Sequence, residues 1–105
     1  MSLSFGLEQS VANDIRSILI NTLKLKNSYS VFVFGSRAIG KHKKYSDLDL
    51  WIESDPNLSL ANITQLREIF EESEIPIKID IVTPETCLDD YKDKIQNQKV
   101  LWFDL

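Results

Sequence analysis

The chain has 105 residues, enough for one domain with one hydrophobic core, so we expect residues 1–105 to form a single unit without a separate substrate domain. Apolar residues at 43% and charged residues at 27% mark a soluble globular protein, and a net charge of −4 argues against gripping long nucleic acid by general electrostatics. The single cysteine, Cys87, excludes an internal disulfide and points to a reducing compartment.

The longest apolar run, 31–34, is far too short to cross a membrane, and Met1-Ser2-Leu3-Ser4 lacks the basic start and apolar core of a signal peptide. A cytoplasmic location is the expectation. With only three glycines and three prolines, their positions punctuate the chain clearly.

From Leu7 to Leu25, apolar residues at 7, 11, 15, 18, 19 and 23 predict a helix with one apolar face, with Ser4 as a candidate cap. Tyr29 to Phe34 is rich in β-branched and aromatic residues and ends at Gly35, which predicts a buried strand. Ser36 to Ile39 reads as a short helical turn and Gly40 to Ser46 as a polar loop. In Asp47 to Glu53, Leu48, Leu50 and Ile52 alternate with Asp47, Asp49 and Trp51, the pattern of a second strand.

A turn at Ser54-Asp55-Pro56-Asn57 precedes a helix from about Ser59 to Glu72, with Leu60, Ile63, Leu66, Ile69 and Phe70 facing inward. Ile77 to Val82 predicts a third strand. Thr83-Pro84-Glu85 resembles a helix start, and Leu88, Tyr91 and Ile95 continue that helix at core spacing. Val100 to Phe103 is an edge strand or a partner contact. The order helix, strand, strand, helix, strand, helix, tail implies an α/β (α+β) fold: a small mixed sheet with helices packed on it.

Asp47 and Asp49 stand at i and i+2, so on a strand they share a face with Cα atoms roughly 6.5–7 Å apart. Aspartate is disfavoured in strands and like charges repel, so a plain solvent-facing surface explains the pair poorly. A hard cation bound by carboxylate oxygens explains it well. Asp80, flanked by Ile79 and Ile81, can join them from a neighbouring strand. Three carboxylates on adjacent strands suit a site for two Mg²⁺ ions that aligns an attacking oxygen with a phosphorus. Gly35-Ser36, at the end of a buried strand, lets a phosphate approach backbone N–H groups and the Ser36 hydroxyl.

The joint pattern Gly-Ser-Arg-Ala-x-Gly, five residues, then Ser-Asp-x-Asp-Leu resembles the signature of the minimal nucleotidyltransferase (MNT) domains of the DNA polymerase β-like superfamily, across nearly the whole chain. The resemblance implies a polymerase β palm-like fold. It also implies Mg²⁺-dependent transfer of a nucleoside monophosphate, AMP from ATP or another NTP, to an acceptor hydroxyl. Gly35 and Ser36 match the phosphate-binding turn, Asp47 and Asp49 the metal-binding pair, and Asp80 the third carboxylate, which ligates metal and helps deprotonate the acceptor. Members of this group act as antitoxins of helical HEPN toxins, which implies a HEPN-type protein partner that receives the nucleotide. Two rival readings are a non-catalytic antitoxin acting by contact and a small-molecule, aminoglycoside-like nucleotidyltransferase. Ile39 stands where many antitoxin members carry a second arginine, and a partner or a second copy of the chain is expected to complete the pockets.

Arg37 is either a triphosphate contact or a surface arginine; the nucleotide-binding set is Gly35, Ser36 and Arg37. Lys41, Lys43 and Lys44 read as a solvated basic loop, Ser46 as a loop cap toward Asp47, and His42 as non-catalytic. Cys87 and Tyr91 read as packing residues. Trp51 fits core or rim packing better than base stacking, and Trp102 and Phe103 close the core or meet a partner.

Overall fold

The computed structural model describes residues 5–23 and 28–104. Its elements run α1 (Gln9–Thr22), β1 (Ser28–Phe34), β2 (Leu48–Asp55), α2 (Leu60–Glu72), β3 (Ile79–Val82), α3 (Asp89–Gln98) and β4 (Val100–Asp104). Both the order and the α+β class follow the sequence reading. The proposed cap Ser4 and the end of the first helix at Leu25 lie outside the described residues.

The four strands form one mixed sheet in the order β3-β2-β1-β4. β1 runs antiparallel to both β2 and β4, while β2 and β3 are parallel, with α2 as the crossover between them. The residues of 100–104 are therefore an edge strand, and Trp102 and Phe103 pack against the core.

Strand alternation sorts the sheet into two faces. Val31, Val33, Leu48, Leu50, Ile52, Ile79 and Ile81 pack with Ile15 and Leu19 of α1 and Ile63, Leu66 and Phe70 of α2 into one core. The opposite face carries Phe32, Phe34, Asp49, Trp51, Glu53 and Asp80.

Three expectations are corrected. Leu60 is 69% exposed, and Leu58 is buried in its place. Ser59 caps α2 by accepting from the Asn62 amide, and Leu58 just ahead of it and Ile63 just after both enter the core, a hydrophobic staple that sets the entry of the chain. Thr83 does not start α3. The Thr86 hydroxyl oxygen accepts from the Thr83 N–H at 3.0 Å and the Thr83 carbonyl accepts from the Thr86 and Cys87 amides, so this turn closes on itself and α3 begins at Asp89. Tyr91, 57% exposed, and Leu88, 68% exposed, are not core residues; Ile95 alone of that trio is buried, because α3 borders an open groove rather than a closed core.

Candidate functional site

Strand β1 delivers the chain into the turn at Gly35 to Gly40. The amides of Ala38 and Ile39 donate to the Gly35 carbonyl, and that of Lys41 to the Ser36 carbonyl. The Gly35 amide donates to Oε1 of Gln98 at 3.3 Å. Among the described residues, the amides of Ser36 and Arg37 then have no acceptor, leaving two adjacent N–H groups beside the Ser36 hydroxyl, the makings of an anion nest. Gly35 has φ 75°, and a Cβ there would collide with Oδ2 of Asp49, so only glycine lets this backbone lie against that carboxylate.

Asp49 and Asp80 are register partners in the parallel β2–β3 pair. Their side chains therefore leave the same face at the same height. Burial, then the Asp80 charge and hydrogen bond, then the Asp47 charge push the Asp49 carboxyl up to about 6, against the pull of Lys78. Lys78 also pairs with Asp80 at 3.5 Å, an exposed contact of small worth. Asp47 is exposed and sits one residue before β2, not within it. Among the described residues, no three acidic, histidine or cysteine side chains converge into a metal-ligand cluster. The tight unit is the Asp49–Asp80 pair, with Asp47 adding its charge alongside. Two adjacent carboxylates on one face of the sheet fit Mg²⁺, which takes one or two protein carboxylates and completes its shell with phosphate oxygens and water.

Arg37 departs from both readings offered for it. Its side chain is 3% exposed and turned into the protein. Nε donates to the Ser46 carbonyl at 3.1 Å, Nη1 to Phe5 at 2.9 Å and Nη2 to Lys44 at 3.1 Å. Burial lowers its pKa from the usual value, yet a guanidinium stays charged at any physiological pH. Arg37 thus fastens the loop that leads into Asp47, and only its main-chain amide is left open at the glycine turn. Ser46 is structural as expected, but its hydroxyl accepts from the Lys43 amide at 2.7 Å rather than capping toward Asp47. Lys41, Lys43 and Lys44 are exposed, and His42 packs against Gly6.

A groove of about 940 Å³ opens beside the acid pair. Asp49 and Asp80 line it together with Ile77 and Val82 of the β3 region and Leu88 and Tyr91 of the α3 side. Cys87 also lines it, at the end of the turn before α3. Trp51, 1% exposed, donates to Glu53 at 2.8 Å, so it is a packing residue. Burial raises the Glu53 carboxyl, but hydrogen bonds from Lys99 and Trp51 outweigh that and leave it below its usual range. The contacts of Gln98 and Lys99 to this face were invisible in the sequence: both lie in a polar helix end with no motif around them.

The chain matches the nucleotidyltransferase domain over residues 15–101. It is 40% identical over 78 residues to the Haemophilus influenzae protein named "Probable protein adenylyltransferase MntA", covering 74% of this chain and 68% of that one. Among solved structures it resembles a toxin-antitoxin crystallised with AMP-PNP, with TM-score 0.68 and 18% identity over 87% of this chain and 71% of that one. It also resembles a Sulfolobus solfataricus structure assigned to the nucleotidyltransferases, with TM-score 0.55 and 20% identity over 90% of this chain and 78% of that one. At these identities the two structures speak for the fold.

A small mixed sheet that sets a glycine turn against paired carboxylates, together with the domain match, places this chain in the nucleotidyltransferase domain family, and it is an enzyme of that kind. Within the family it is of the MNT type, as the likeness to MntA indicates.

Proposed function

We propose that this chain transfers AMP from ATP to a hydroxyl group on a partner protein, with Mg²⁺ as cofactor, as the antitoxin of a HEPN-type toxin. The observation that carries the reading is the register pairing of Asp49 with Asp80 directly beside Gly35. The adenylyltransferase name of the relative and the AMP-PNP in the toxin-antitoxin neighbour support ATP as donor and a toxin as partner.

In this mechanism the Ser36 and Arg37 amides and the Ser36 hydroxyl hold the triphosphate. Asp49 and Asp80, with Asp47 beside them, would hold Mg²⁺. The bound ion supplies charge to neutralise the phosphates and the departing pyrophosphate. Asp80 takes up the proton of the acceptor hydroxyl. A bond forms between that oxygen and the α-phosphorus as the bond to pyrophosphate breaks, with the two oxygens roughly in line. Arg37 acts at a distance by fixing the loop into Asp47.

Incubation with α-labelled ATP, Mg²⁺ and the candidate toxin tests this. Label should appear on the toxin and vanish with Asp80→Ala; labelling that persists in the variant would sink the assignment. Asp47→Asn addresses the contact-only alternative: full neutralisation of the toxin by that variant would show that catalysis is not the mechanism.

A further inference from the structure

Gln98 is the last residue of α3, and its side chain ends on the phosphate turn, where Oε1 accepts from the Gly35 amide at 3.3 Å. Its base is fixed. The next residue, Lys99, is bonded to Glu53 of β2 and lies 4.3 Å from the centroid of the Phe32 ring of β1. The junction between α3 and β4 is therefore pinned to both central strands, and Gln98 extends from it to the end of β1.

The effect of that contact falls on Gly35. A glycine at positive φ has more backbone freedom than any other residue. Its carbonyl is held by the amides of Ala38 and Ile39. Its N–H is held by Gln98 and, among the described residues, by nothing else. If that N–H is released, the Phe34–Gly35 peptide can rotate about the Gly35 φ, and the turn that carries the two open amides is no longer fixed against the end of β1. Toward Gly35 Gln98 presents its amide oxygen, an acceptor, so this contact acts on the turn and not on a phosphate.

We propose that Gln98 is a positioning residue for the nucleotide phosphates: by holding the Phe34–Gly35 peptide it fixes the φ of Gly35, and with it the placement of the turn that offers the Ser36 and Arg37 amides. This rests on the reading of residues 35–37 as the phosphate turn.

The test measures dissociation constants for ATP with Mg²⁺ and for adenosine by calorimetry, on the unaltered chain, Gln98→Met and Lys99→Met, with a thermal melt of each. Methionine keeps the volume of glutamine and removes its amide, the acceptor oxygen and the NH2 donors alike. Gln98→Met should weaken ATP about fivefold, the worth of one ordinary hydrogen bond, and leave adenosine unchanged. Lys99→Met loosens the same junction without touching Gly35, and should leave the ratio of ATP to adenosine affinity where it was. An unchanged ratio in Gln98→Met, or an equal fall in Lys99→Met, overturns the proposal. If Gln98→Met does not fold, Gln98→Ala takes its place with the same expectations. If the unaltered chain binds ATP no better than adenosine, the phosphate turn itself is misassigned and the role of Gln98 falls with it.

Discussion

A methyl group at Gly35 would run into the Asp49 carboxylate and would also require an L-residue at φ 75°. Both penalties fall on the site, because the atom that would be hit is a candidate ligand. Gly35→Ala should therefore cost about 1–2 kcal/mol of stability by the strain of a left-handed alanine. It should reduce transfer by a larger factor than that loss of fold explains; melts and initial rates of the same preparation separate the two. Asp49 carries a second consequence. Its carboxyl is raised from 3.8 to about 6 in the fold, by burial first and by Asp80 next, so the folded chain binds a proton more tightly than the unfolded one. That contribution to stability is fully present below pH 3.8 and is lost as the pH rises through about 6. In chelator the melting temperature should fall across that window. Asp49→Asn should remove this component, and added Mg²⁺ should restore stability at the upper end. A decline of the same size in the Asn variant would assign it to other groups.

At the scale of elements, the segment between β1 and β2 is set by Arg37. Its three hydrogen bonds end on main-chain carbonyls of Phe5, Lys44 and Ser46, so one side chain fastens the N-terminal segment and the loop at once. Arg37→Met should cost about 3 kcal/mol, the order expected when part-buried, charge-assisted bonds to main-chain carbonyls are left unmade. Denaturant titration would measure it, and a loss under 1 kcal/mol would show that the loop holds itself.

Arg37 also shows where the sequence stops being readable. The Gly-Ser-Arg box marks the location, but a side chain turned inward and one turned to a ligand have the same letters. Asp49 and Asp80 were legible because period-two alternation assigns them a face regardless of partners. Asp47 was assigned one position too far into the strand, since β2 starts only when Leu48 pairs with Ile79, a long-range event. Tyr91 and Leu88 sit at core spacing, yet spacing gives a helix face and says nothing of whether that face meets a core or a groove.

For the whole molecule, one core joins both packed helices to the sheet, so damage to it should be felt as a single loss. Leu50 is fully buried on the strand that also carries Asp49. Leu50→Ala should cost about 2–5 kcal/mol, and urea unfolding should keep its slope if the domain melts as a unit. A shallower slope would reveal separable parts.

The parallel register of β2 and β3 has one more effect. Leu48 and Leu50 meet Ile79 and Ile81 in the same alignment that sets Asp49 opposite Asp80. A slip of one residue would turn every side chain of β3 to the other face. It would expose two isoleucines and place Asp80 among the leucines, where an unpaired carboxylate is costly. The wrong alignment thus loses the buried isoleucines and the acid pair together, so a chain that has the two aspartates side by side has also closed its core.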